Sequence, residues 1–220
     1  MPHFLRINFN GDPNIGLYGF ATDKYVLTGM NQKKILQRLE KTLHVRPRHS
    51  MMLNTEFVGI FCSGNSEGIV VPSILAEYEL PNLGKMFGKV LALKTDYSAL
   101  GNLILMNDNG IMVSPLIKNH AKEIKEFFSL PCESFSIANS RIVGKLGIAT
   151  NKGCLVHPRA SEAEKRKLKD ILGVDIDIGT VNFGSPFPGS GIIANSSGCV
   201  VSEASSGPEM GRIAETLGFV

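Results

Sequence analysis

The chain has 220 residues, 43 % apolar and 20 % charged, with a formal net charge of +3. That mix suits a soluble globular protein and excludes a disordered chain. No run approaches the roughly 20 apolar residues of a membrane-spanning helix, and the start lacks a secretory signal, so a cytoplasmic protein is expected.

The first elements follow in order. Leu5, Ile7 and Phe9 alternate with Arg6 and Asn8, a half-buried strand with no helix before it. Gly16 leads a first hairpin, with Tyr25 nine residues on. Asn31 to Val45 carries Ile35, Leu36, Leu39 and Leu43 on one helical face. Met51–Leu53 is the expected closing strand of this unit. Residues 1–50 hold eight Lys/Arg against three Asp/Glu, including Lys33, Lys34, Arg38, Lys41, Arg46 and Arg48. This excess is a solvated face or an electrostatic footprint for phosphate.

The same syntax then repeats. A hairpin spans Gly59 to Val71, a helix interrupted by Pro81 covers Ala76–Phe87, and Val90–Leu93 reads as a strand. Leu100 to Pro115 places apolar runs around Asn107-Asp108-Asn109-Gly110, where Gly110 is expected to supply a positive φ. A helix over Asn119–Phe128 and a strand within Cys132–Ala138 follow. The fourth hairpin runs through Gly144 and Gly153. Ser161 and Glu164 form a capping box before Leu168, Ile171 and Leu172. Val174–Ile178 alternates as a strand. The fifth hairpin contains Gly189 and Gly198. A second capping box, Ser206 to Glu209, opens a helix with Pro208 as its expected first residue and Gly218 as its stop.

The leading glycines Gly16, Gly59, Gly101, Gly144 and Gly189 are 43, 42, 43 and 45 residues apart. A period in this range means modules that cannot bury a core singly. The predicted fold is α/β: five ββαβ repeats of about 43 residues, at about 10–53, 54–96, 97–138, 139–182 and 183–220. The fifth repeat lacks its last strand, and the unpaired strand 3–9 is placed to complete it. The result is a closed, five-bladed, propeller-like ring in one domain over 1–220, with pseudo-fivefold symmetry and no open sheet edge.

Leu100 to Pro115, Thr150-Asn-Lys-Gly-Cys-Leu-Val-His-Pro158, Gly179-Thr-Val-Asn182 and the Ser206–Glu209 helix start together resemble the archaeal translation initiation factor six family. The resemblance covers the whole chain and implies the pentein architecture. It further implies binding to the large ribosomal subunit, prevention of its joining to the small subunit, and a part in large-subunit maturation. The family's contact is to a ribosomal protein and rRNA close to the sarcin–ricin loop. Carried over by motif position, the expected ribosome-binding residues are Asn65, Asn107, Asn151 and Asn195. Each is equally placed to serve its own turn, since asparagine there makes local hydrogen bonds. Together they would form a rim of amides on one side of the ring, suited to a protein–RNA surface. A monomer is expected.

The pattern carries no catalytic or metal-binding spacing. Cys62, Cys132, Cys154 and Cys199 have neither zinc nor disulfide spacing. Cys154 and Cys199 share a core-facing strand slot with Ile69 and Ile111. Other penteins modify guanidino compounds with cysteine and histidine, so Cys199 with His157 is the alternative. Strand parity sends the two side chains to opposite faces, which opposes that pairing. No nucleotide-binding loop is present. Neither catalysis, cofactor nor metal is expected. A ring-shaped binding module with some other protein or RNA partner is the third reading.

Overall fold

A computed structural model describes residues 3–75 and 79–220. It is a mixed α/β structure with five separate three-stranded sheets. Each sheet has an antiparallel hairpin whose second strand also pairs with a parallel third strand.

The hairpins are Gly19–Ala21 with Val26–Thr28, Ser63–Asn65 with Gly68–Pro72, Ile104–Met106 with Ile111–Val113, Gly147–Ala149 with Gly153–Val156, and Ile192–Ala194 with Cys199–Val201. Their parallel partners are Pro47–His49, Val90–Leu93, Cys132–Ser134, Asp175–Ile178 and Phe4–Arg6. The last of these is the N-terminal strand, paired Phe4 to Cys199 and Arg6 to Val201. It completes the fifth sheet as its sequence position required.

Four parallel crossovers carry the α-helices Lys33–Leu43, Glu79–Phe87, Ala121–Phe128 (after a 3-10 helix, Pro115–His120) and Glu162–Leu172, and Gly207–Thr216 follows the fifth hairpin. Both capping boxes form, with Ser161 and Ser206 as N-caps. Gly207 is therefore the first helical residue of the last helix and Pro208 the second, still within the turn where a missing N–H costs nothing. Pro81 is tolerated for the same reason, lying near the start of Glu79–Phe87. Residues 76–78 of the stretch expected to be helical lie outside the described residues.

The first unit's third strand is Pro47–His49 rather than Met51–Leu53. Helix Lys33–Leu43 ends on His44 at φ 56°, so the chain enters the sheet earlier than expected. Pro47 fits because it lies on an outer strand. Met52 instead bridges to Thr55 in a tight turn.

The apolar triplets that follow each hairpin turn are buried on both faces, and the core explains it. Val26 of the first unit packs with Val200 of the fifth, against Ile35, Leu39 and Leu43 of the first helix. Leu27 joins the second unit's core, Val70 the third's, Met112 the fourth's and Leu155 the fifth's. Every one of the five cores is thus shared by two adjacent units. A continuous apolar strand is what two-sided burial demands.

Candidate functional site

The five hairpins turn through the four-residue stretches 22–25, 65–68, 107–110, 150–153 and 195–198, which converge on one end of the molecule. The residue opening each loop is Thr22, Asn65, Asn107, Thr150 or Asn195, and the next is Asp23, Ser66, Asp108, Asn151 or Ser196. Three of the four predicted asparagines therefore share one register. Asn151 belongs to the second, and Thr150 is the true equivalent of the other three.

The opening residue does one local job everywhere. Asn107 Oδ1 accepts the N–H groups of Asn109 and Gly110, at 3.0 and 3.1 Å. Asn65 and Asn195 serve Glu67 with Gly68, and Ser197 with Gly198, in the same way. Thr22 Oγ1 and Thr150 Oγ1 substitute for the amide oxygen.

The amide nitrogens reach into the next unit. Asn107 Nδ2 donates to Thr150 O at 3.0 Å and to Leu172 O, at a helix C-terminus, at 2.9 Å. Asn195 Nδ2 repeats this on Thr22 O and Leu43 O. Asn65 Nδ2 lies 3.5 Å from Asn107 O. These three side chains are buried, with 2–4 % of their surface exposed. The expected outward rim of amides is not what they form: their polar atoms are spent inside the scaffold, because a neighbouring helix end lies over the turns of Asn107 and Asn195 and the next turn lies over that of Asn65.

The glycines closing the loops answer to the same crowding. Gly110 has no positive φ. A Cβ there would stand 2.0 Å from Ile171 O of the next helix, and at Gly198 it would stand 2.1 Å from Thr42 O. Close approach, not turn handedness, requires glycine. The first unit has Tyr25 instead, whose hydroxyl donates to Asn65 O at 2.8 Å while Arg48 lies over its ring.

The second loop residues meet at the centre. Asp108 accepts Ser66 N and Oγ at 2.8 and 2.7 Å, and Asn151 Nδ2 at 2.7 Å. Asp23 accepts Ser196 N and Oγ at the same two distances. Asn151 Nδ2 also donates to Asp23 at 2.8 Å. Asn151, alone of the predicted four, stands among exposed and half-exposed polar groups. The repeat spacing already contained this set: counting 43, 42, 43 and 45 from Thr22 or Asp23 reaches every member.

The other end of the axis is built from the leading glycines. A Cβ at Gly59 would lie 2.2 Å from Gly16 O, at Gly101 2.0 Å from Gly59 O, and at Gly144 2.3 Å from Gly101 O. Gly189 abuts Gly144 O and Gly16 abuts Gly189 O, so the succession returns to its start. Lys145 is buried here, beside a cavity of about 60 Å³, and donates to Gly16 O at 3.1 Å. Burial holds its amine down to about 8. Lys145 carries no signal in the sequence, since the equivalent positions are Leu17, Ile60, Asn102 and Ser190.

The cysteine alternative meets closed surroundings. Cys154 and Cys199 are fully buried in two different cores, and burial pushes both thiols far above their usual range. A thiolate nucleophile needs the opposite. His157 Nδ1 accepts Arg159 N–H at 3.0 Å, and its ring stands edge-on to Phe187. Burial lowers the His157 pKa. Among the described residues no three His, Cys, Asp or Glu are grouped to hold a metal ion, and no helix is long and apolar enough to cross a membrane.

Fold and site together define a five-unit α/β repeat protein with interlocked cores and one polar turn face. The eIF-6 family model matches residues 4–216, and the chain belongs to the eIF-6 family. It is 37 % identical to translation initiation factor 6 of Pyrococcus horikoshii, covering 99 % of this chain and 100 % of that one. The factor of the same name from Methanoculleus marisnigri is 37 % identical over 97 % of this chain and 98 % of its own. That of Haloquadratum walsbyi is 36 % identical, covering 98 % and 97 %.

Proposed function

We propose that this protein is a cytoplasmic translation initiation factor that binds the large ribosomal subunit and prevents its association with the small one. A part in large-subunit maturation belongs to the same reading. The contact would be the turn face, against a ribosomal protein and rRNA near the sarcin–ricin loop. Full-length similarity to proteins named translation initiation factor 6 supports the translational role. The observation that carries the choice of face is the convergence of all five loops on one polar end. We take the fold to be the closed pentein ring, monomeric and without a cofactor. Its support is the return of the glycine contacts to Gly16 and the sharing of a core between the fifth and first units.

Within this reading the four asparagines have two roles. Asn151 would meet the partner directly. Asn65, Asn107 and Asn195 would act through the turns they hold, setting the backbone and the exposed loop residues that a partner touches. The face is polar and, at its centre, carboxylate-bearing, which suits hydrogen-bonded protein contact.

Sedimentation through a sucrose gradient tests the proposal. Purified protein should travel with isolated archaeal large subunits, not with small ones, and should keep added small subunits from joining. Equal partition between the two subunits, or unimpaired joining, would reject it.

A further inference from the structure

A second surface lies at the margin of the turn face, between the fourth, fifth and first units. It is a cavity of about 400 Å³ lined by His3, His44, Lys152, Ser196, Ser197 and Phe219. Three elements far apart in sequence supply its basic groups. His3 stands just before the N-terminal strand, His44 ends the first helix, and Lys152 belongs to the fourth loop. All three side chains are exposed, and no carboxylate lines the cavity. Asp23 stands behind Ser196, with both oxygens accepting hydrogen bonds from Ser196.

Lys152 Nζ keeps donors for a ligand. His3 Nδ1–H donates to Ser197 O at 3.0 Å, so Nε2, on the other side of the ring, donates to a ligand only in the imidazolium form. Lys152 Nζ lies 6.0 Å from the centroid of Phe219, and the His3 ring stacks on Phe219 at 6.0 Å. The aromatic ring thus braces two of the three groups. A lysine and two imidazoles converging on one concavity match a group with several acceptor oxygens and negative charge. The volume lies within the range of small-ligand pockets and exceeds what a single phosphate fills.

From this arrangement we infer that the His3–His44–Lys152 cavity receives a phosphodiester of an RNA backbone beside the turn face. The inference rests on the translational reading, in which the turn face approaches an RNA-rich partner. The cavity adds what the face itself lacks. The axial turns present carboxylates and amides, whereas phosphate attraction is concentrated here. None of the lysines and arginines of residues 1–50 lines the cavity, whose contribution from the first helix is His44. Arg38 and Arg48 instead donate to backbone carbonyls of Arg6 and Met86.

The test measures binding of fluorescein-labelled decauridylate by anisotropy across a salt series, with the intact protein and with Lys152→Gln, His3→Gln and His44→Gln. Lys122→Gln, on the third helix, serves as a distant charge control. Thermal melting checks that each variant is folded. Each cavity variant should bind several-fold more weakly. Lys152→Gln should also flatten the plot of log affinity against log salt by about 0.7, the value of one phosphate contact on a single strand. Lys122→Gln should match the parent. Unchanged affinity and slope in Lys152→Gln would overturn the inference. So would displacement of the oligonucleotide by orthophosphate at equal phosphate concentration, which would mark a free-phosphate site.

Sedimentation of the parent with large subunits separates the two claims. If the parent sediments with them and the variants bind oligonucleotide like the parent, the cavity inference falls alone. If the parent does not sediment with them, the translational reading falls, and the RNA assignment of the cavity falls with it.

Discussion

Asn151 joins Asp23 across 128 residues of chain, its amide 2.8 Å from the carboxylate. The same amide holds Asp108 at 2.7 Å. One side chain from the fourth unit therefore ties the loops of the first and third, which are not its neighbours on both sides. The polar end of the molecule is cross-braced at its centre as well as linked around its edge.

The buried asparagines predict a stability defect. Asn107→Ala removes two donors to buried carbonyls and the acceptor of two turn N–H groups. Unsatisfied groups of this kind cost about 1–3 kcal/mol, and in a chain of this size each kcal/mol lowers Tm by about 2–4 °C. Thermal unfolding followed by circular dichroism should show Tm lower by several degrees. A Tm equal to the parent's would return Asn107 to the outward role first expected of it.

The N-terminal strand should matter to the whole molecule. Deleting residues 1–8 exposes the strand Cys199–Val201 and removes Leu5 and Ile7 from the core shared by the fifth and first units. It also removes Arg6, which donates to Glu203 O and Ser205 O. The truncated protein should melt earlier and aggregate through its bare edge. Unchanged melting and solubility would show that the strand is dispensable.

Two glycines should respond oppositely to alanine. At Gly101 the added Cβ would stand 2.0 Å from Gly59 O, a backbone atom that cannot step aside alone. At Gly211, inside the last helix, it would meet nothing within 4 Å. Gly101→Ala should destabilise by at least about 1–3 kcal/mol. Gly211→Ala should stabilise by about 0.5–1 kcal/mol through helix propensity. Chemical denaturation of both variants checks the sign of each.

Lys145 predicts a pH-dependent gain. Burial depresses its amine from 10.5 to about 8, so the folded state releases the proton more readily than the unfolded chain. Below pH 8 both states are charged and the folded one carries the full cost. Between pH 8 and 10.5 the unfolded state binds more protons, and stability from this group rises with pH. Lys145→Met should therefore be more stable than the parent at pH 7, by up to about 3 kcal/mol less the hydrogen bond to Gly16 O. The advantage should shrink between pH 8 and 10.5. Comparing the two proteins cancels the buried thiols of Cys154 and Cys199, which do not interact with the amine, whereas Cys62 is coupled to it and belongs to the same difference. An advantage that stays constant from pH 7 to 10.5 would contradict this account.

Much of the fold was legible because it is written five times. The leading glycines located every hairpin, and the capping boxes at Ser161 and Ser206 marked the N-caps of two helices. The lone strand at the start found its sheet by elimination. The strand Pro47–His49 was hidden because its residues are basic or proline and carry no apolar alternation. What escaped the sequence was contact between units. Asn107 reads as an exposed turn residue until Leu172 O, 65 residues later, is seen beside it. Gly110 reads as a turn glycine until the carbonyl of Ile171 is found against it. The capping glutamates hid a similar second use. Glu164 accepts Ala138 N and Glu209 accepts Phe183 N, so each fastens a helix start to a preceding turn.

The asparagine ties mean that the five units are matched parts, not interchangeable ones. Asn195 fits Leu43 and Asn107 fits Leu172, while Tyr25 needs Asn65 and the room beside Phe87. A copy of the fifth unit spliced in place of the first would bring a glycine where Tyr25 fills its seam and would remove Arg48, which lies over that ring. The repeated module is thus a keyed set, in which each piece is fitted to its own two neighbours.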